Sequence, residues 1–115
     1  MTHPAQRLDD TVHQRVRLGI LAVLSEASWA DFGYLREALE LTDGNLSRHI
    51  AVLEEAGLVK VEKGYESKRP RTWVQATRAG RAALKAELAA LQELMSRVEG
   101  NGEGAARGAR RRLSA

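Results

Sequence analysis

The chain has 115 residues, 43% of them hydrophobic and 29% charged, with a formal net charge of +3 and no cysteine. That length holds one domain with a workable core, and the lack of cysteine excludes disulfides, thiolate metal sites and thiol redox chemistry. No apolar run approaches the roughly 18–20 residues that cross a bilayer, and residues 1–7 hold no apolar signal core, so a cytoplasmic protein without a membrane partner is expected.

Residues 1–9 are mostly polar, with a proline at Pro4, and read as a flexible arm. Asp9 and Asp10 then precede Val12, Val16, Ile20, Val23, Leu24 and Ala27, whose helical spacing predicts a first helix over 10–26. Gly19 weakens that helix unless another backbone packs closely there. Residues 27–30 read as a break. Asp31 is placed to cap a short second helix with Phe32, Leu35 and Leu39 on one face. Thr42 or Asp43 caps a third helix that ends at Glu55 or Ala56 and buries Leu46, Ile50 and Leu53. Gly57 stands where a helix end favours positive φ.

Residues 58–63 alternate and are β-rich, 64–70 form a polar turn, and 71–76 return as a second strand with Trp73 facing the helices. Thr77 caps a final helix over 78–98. Along it Leu84, Leu88, Leu91, Met95 and Val98 are spaced as a heptad seam. Residues 99–115 are rich in Gly, Ala and Arg, which predicts a disordered tail made basic by Arg107 and Arg110–Arg112.

The order α-α-α-β-β-α is mainly helical with a small β-hairpin. It is the pattern of a winged helix-turn-helix over 10–77, extended by a long C-terminal dimerisation helix. The third helix turns Asn45, Ser47, Arg48, His49 and Val52 outward. A helix fits the major groove of DNA, where Arg binds guanine bidentately and Asn binds adenine, while Ser47 and the N-terminal amides suit phosphate. Lys63, Lys68, Arg69 and Arg71 surround the hairpin turn against only Glu62 and Glu66, and Pro70 stiffens it. Cations there suit a phosphate backbone, whose regular charge tolerates imprecise placement. Each feature has a plainer alternative, a solvated helix face and a charged loop.

The stretch Leu41-Thr42-Asp43-Gly44-Asn45-Leu46-Ser47-Arg48-His49-Ile50, then Leu53-Glu54-Glu55-Ala56-Gly57-Leu58-Val59, resembles bacterial winged-helix regulators near the MarR and ArsR families. Thr77-Arg78-Ala79-Gly80-Arg81 is similar to the start of their post-wing helix. The resemblance implies groove-reading positions at Gly44, Asn45, Ser47, Arg48 and His49, with Thr42 at the helix start, and wing contacts at Lys68, Arg69 and Arg71. ArsR-type sensors commonly use cysteine ligands, absent here, and His3, His13 and His49 are scattered, so no metal or other cofactor is expected. Many MarR-type proteins carry extra helices that frame an effector pocket, for which this chain is too short. The resemblance names no effector.

The seam of Leu84, Leu88, Leu91, Met95 and Val98 is expected to bury itself against a symmetry mate; packing onto the first helix is the alternative. A twofold dimer implies double-stranded DNA with pseudo-palindromic half-sites. The arginine tail either adds nonspecific phosphate affinity or is idle. Trp29, Phe32, Tyr34 and Trp73 are expected in the core or an interface, with Tyr65 near DNA. Two readings of function follow: a DNA-binding transcription regulator, or a winged-helix protein-interaction module without sequence-specific DNA binding. No catalytic set of residues is visible, and no enzyme is expected.

Overall fold

Short polar side chains start three of the helices. Asp31, Thr42 and Thr77 each accept a hydrogen bond from the backbone N–H three residues on, from Tyr34, Asn45 and Gly80, at 3.2, 3.2 and 3.0 Å. These bonds satisfy donors that have no partner inside the helix. The computed structural model describes residues 3–114, with side chains through residue 100. Its elements are a 3-10 turn (Pro4–Arg7), α1 (Arg15–Glu26), β1 (Ala30–Asp31), α2 (Phe32–Ala38), α3 (Asp43–Glu55), β2 (Val59–Glu66), β3 (Arg69–Ala76) and α4 (Arg78–Ser114).

Both short connections leaving α2 and α3 are Schellman ends. Gly57 takes φ +77° after α3, with Gly57 N–H donating to Glu54 O and Leu58 N–H to Leu53 O, each at 2.9 Å. The end of α2 has the same pattern, Glu40 N–H to Glu37 O at 3.2 Å and Leu41 N–H to Arg36 O at 2.9 Å, but a glutamate, at φ +53°, holds the left-handed position. The turn from α2 into α3 is thereby fixed at some cost in backbone strain.

The core collects one stripe from each element. Val12, Val16, Ile20 and Leu24 are buried as expected, joined by Leu21, Leu35, Leu46, Ile50, Leu53, Val59 and Val74. Val23 is half-buried, while Ala27 lies beyond the end of α1 and is exposed. At Gly19 the close neighbour is a side chain rather than a backbone: a β-carbon there would come within 3.0 Å of Leu39 Cδ2.

Several expectations are corrected. The first helix begins at Arg15, because Gln14 caps it through Arg17 N–H at 2.9 Å, and Asp9 instead folds a turn through Thr11 N–H at 2.8 Å. From Pro4 to Asp9 the N-terminal arm is docked rather than free. Pro4 is buried, Arg7 pairs with Glu93 on α4, and Asp9 N–H donates to Glu87 Oε2 at 2.9 Å. Residues 30 and 31, read as a break and a cap, also form a short strand. The sheet order is β1-β3-β2, all antiparallel, with Ala30 opposite Val74 and Asp31 opposite Trp73.

The hairpin is longer than its hydrophobic alternation suggested. Its ladder runs from Val59–Ala76 to Glu66–Arg69, and only Ser67 and Lys68, with φ of +50° and +67°, make the turn. Positive φ at both central residues matches the twist of the strands. Because Val74 faces the core, Trp73 points to the opposite, outer face of the sheet and not toward the helices. The long helix continues past the expected end at Val98 to Ser114, a started helix adding residues at one hydrogen bond each. The side chains of Arg107 and Arg110–Arg112 lie outside those described.

Candidate nucleic-acid interface

Helix α3 is held by three buried side chains, Leu46, Ile50 and Leu53, which seat one stripe on the core and leave the opposite face outward. On that face Thr42, Gly44, Asn45, Ser47 and Arg48 are all exposed. Arg48 Nη2 donates to Asn45 Oδ1 at 2.5 Å, which lays the guanidinium along the helix beside the amide. An arginine and an amide side by side suit two adjacent base edges.

His49 departs from the sequence reading. It is half-buried, and Arg17 Nη1 of α1 donates to its Nδ1 at 3.2 Å. Arg17 is itself fixed by donating through Nε to Thr11 O at 2.6 Å and through Nη2 to Asp10 O at 3.3 Å. Burial first, then the positive charges of Arg17 and Arg48, hold the imidazole below its ordinary value. Accepting at Nδ1 from an arginine requires the neutral ring, so geometry and charge agree. His49 joins α3 to α1 instead of standing free on the reading face.

The N-terminal end of α3 is braced from α2, where Arg36 Nη1 donates to Asp43 Oδ1 at 2.7 Å. Its other flank opens onto the hairpin. Between them runs a groove of about 410 Å³ lined by Ser47, Ile50, Glu54, Val61, Lys63 and Thr72 among others. Lys63 therefore faces α3, whereas the tip residues Lys68 and Arg69 are exposed at the far end of the hairpin. Arg71 is placed differently: its Nη1 lies 3.4 Å from Asp31 Oδ1 and its Nε 3.6 Å from Glu66 Oε2. These two carboxylates tie it to the outer face of the sheet.

The candidate seam on α4 divides. Leu84 is 7% exposed and belongs to the subunit's own core, whereas Leu88, Met95 and Val98 are 51%, 56% and 63% exposed. Leu91 is half-buried at the border. Heptad spacing alone could not separate the two stripes, because the inner one, from Gly80 through Leu84, Glu87 and Ala90, lies beside it on the same helix. The inner stripe includes a feature missed in the sequence. Glu87 is 1% exposed, with Oε2 bonded to the Asp9 amide and Oε1 at 3.0 Å from His13 Nδ1, a close approach without hydrogen-bond geometry.

At the start of α4, Gly80 is pressed against the entry of β2. A β-carbon there would stand 1.9 Å from the Leu58 carbonyl oxygen. Thr77 closes the same junction, its N–H donating to Leu58 O at 3.0 Å and its hydroxyl to Gly57 O at 2.6 Å. The Thr77-x-x-Gly80 motif is thus a clamp between the end of α3 and the start of α4. Among the described residues no helix is long and apolar enough to cross a membrane, and no three His, Asp or Glu residues are grouped to hold a metal ion.

Comparison with known proteins agrees with this geometry. The family profile described as winged helix DNA-binding domain matches residues 16–95. An uncharacterized protein of Methanocaldococcus jannaschii is 39% identical over 84 residues, covering 73% of this chain and 91% of that one. The structure of a transcriptional regulator homologue from Pyrococcus horikoshii OT3 is 39% identical, with a TM-score of 0.72 over 76% of this chain and 87% of that one. A MarR-family protein from Enterococcus faecalis V583 is 26% identical, with a TM-score of 0.63 over 84% of each chain. The two relatives at 39% identity are archaeal, so the likeness is not confined to bacteria. The chain belongs to the winged helix DNA-binding domain family, and its fold is that of transcription regulators rather than of an enzyme.

Proposed function

We propose that this protein is a cytoplasmic transcription regulator that binds a pseudo-palindromic site on double-stranded DNA as a homodimer. The observation that carries the reading is the outward face of α3. Thr42, Gly44, Asn45, Ser47 and Arg48 are exposed together on a helix whose other side is locked in the core. In this reading Arg48 and Asn45 contact base edges in the major groove, while Thr42, Ser47 and the first-turn amides meet phosphate. Lys68 and Arg69 on the wing meet the flanking backbone. His49 and Arg71, both held by neighbouring side chains, support the reading helix and the wing from behind.

The dimer reading rests on Leu88, Met95 and Val98, three large apolar side chains left more than half exposed along one edge of α4. Pairing with a second α4 removes that edge from water at about 25 cal/mol per Å². The solved structure of a Mycobacterium tuberculosis transcriptional regulator in complex with DNA shares the fold, at 22% identity and a TM-score of 0.65, covering 84% of this chain and 69% of that one. Selecting bound fragments from a random duplex pool, at stated salt, tests the function. A recovered motif with twofold symmetry and half-sites about one DNA turn apart is the expected result. A pool that stays random over successive rounds would overturn sequence-specific reading.

A further inference from the structure

We propose that the outer face of the sheet holds a binding site for a small organic cation of the alkylammonium class, formed by Trp29, Trp73 and Glu62. These three line one open cleft of about 300 Å³. That volume stands at the lower end of small-molecule sites. The cleft is separate from the DNA-reading groove. The groove takes Val61, Lys63 and Thr72, while the cleft takes the alternate residues of the same strands, which point to the other side.

The sheet register explains how the site is assembled. Asp31, Trp73 and Glu62 stand in one row across β1, β3 and β2, so the central indole is flanked by two carboxylates. Trp29 lies two residues before Asp31, on the same side. The Trp73 ring reclines along β2 because position 64 has no side chain; a β-carbon there would come within 3.0 Å of Cζ3. Both tryptophans remain half-exposed. An indole face carries the negative end of a quadrupole and attracts cations more strongly than any other side-chain ring does.

Charge selects the class of ligand. Asp31 is occupied, accepting from Tyr34 N–H and pairing with Arg71. Glu66 also pairs with Arg71, whereas among the described residues Glu62 forms no ion pair. The outer face sets Asp31, Glu62 and Glu66 against Lys60, Arg69 and Arg71, and the charge that lines the cleft itself is the Glu62 carboxylate. Beyond Trp29 a second hollow of about 380 Å³ adds Tyr34 and Glu26, which extends the same aromatic and acidic character. The Glu62 carboxylate disfavours an anion in the cleft, and a neutral ligand gains nothing from it. A cation gains from every wall.

The protein has only two tryptophans and both line the cleft, so intrinsic fluorescence of the full chain reports the site directly. The titration uses choline, with 3,3-dimethylbutan-1-ol as its uncharged isostere and sodium chloride to match ionic strength. A saturable change with choline, at least fivefold weaker with the alcohol, is expected. Glu62→Gln, at an exposed position, is expected to weaken choline by a similar factor without shifting the melting temperature. Trp29→Leu, followed through Trp73, should weaken it as well. Absence of saturation, an equal response to the alcohol, or a Glu62→Gln curve that overlays the wild type would each overturn the assignment.

Discussion

Replacing Gly80 by alanine tests the junction between α3, β2 and α4 with a single methyl group. The new β-carbon would lie 1.9 Å from Leu58 O and 2.9 Å from the Leu58 carbonyl carbon, both backbone atoms that no rotamer change can move. To reach 3.0 Å, below which real β-carbons are essentially never found, the two segments must part by about 1.1 Å. That parting stretches the 3.0 Å bond from Thr77 N–H to Leu58 O beyond bonding distance and strains the 2.6 Å bond from the Thr77 hydroxyl to Gly57 O. One or two neutral hydrogen bonds are worth about 1 kcal/mol each, and overpacking costs about 1–3 kcal/mol. The helix preference for alanine returns about 1 kcal/mol. The net loss is about 1–4 kcal/mol, or roughly a 4–16 °C fall in Tm for a domain of this size. Gly44→Ala makes the same chemical change in α3, where nothing lies within 4 Å, and is expected to leave stability unchanged or raise it by up to about 1 kcal/mol. Thermal and urea unfolding followed by circular dichroism measures both. A Gly80→Ala protein that melts with the wild type would refute the clamp.

Arg48→Ala should weaken binding to the selected duplex by about 1–3 kcal/mol and relax base choice at one position; equal losses on every sequence, read by fluorescence anisotropy, would reduce Arg48 to a phosphate contact. Leu88→Lys combined with Met95→Lys changes two side chains that are more than half exposed, so the subunit should stay folded by circular dichroism while light scattering shows the mass of one chain. A mass unchanged from wild type would refute pairing through α4. Glu40→Gly relieves a non-glycine residue at φ +53°, with an expected gain of about 0.5–1 kcal/mol in urea unfolding; a loss would mean that the Glu40 side chain stabilises the turn by more than its strain costs. His49 has its folded pKa lowered from 6.5, so as pH falls the unfolded chain takes up the proton first. Its effect is nil above 6.5 and destabilising from there down to the folded value. His49→Asn should therefore flatten the stability–pH curve over that window relative to wild type, and parallel curves would dispose of the argument.

What could be read from the sequence was mostly what short-range chemistry decides. Asp31, Thr42 and Thr77 cap helices because a short acceptor at the right offset meets free amides, and Gly57 takes positive φ because it lacks a β-carbon. The features that escaped depend on partners distant in sequence. Residues 30 and 31 become a strand only because β3 passes beside them. The arm settles because Glu87 and Glu93, some 80 residues away, accept its amide and its arginine. Trp73, expected to face the helices, lies on the outer side because strict alternation puts it opposite to buried Val74. On the candidate interface, the exposed set from Thr42 to Arg48 was legible from the helix period. The inward turn of His49 was not, since Arg17 lies 32 residues earlier. Leu84 and Leu88 carry the same side chain one turn apart, and only the position of the body beneath α4 separates them.

The Thr77–Gly80 clamp has a mechanical consequence. It fastens the last carbonyls after α3 to the first turn of α4 through two hydrogen bonds and a bare backbone contact, leaving no compliant loop between them. In the proposed pair of subunits, α4 then works as a stiff lever. A tilt between the two long rods would then carry the two α3 helices with it and alter the distance between them.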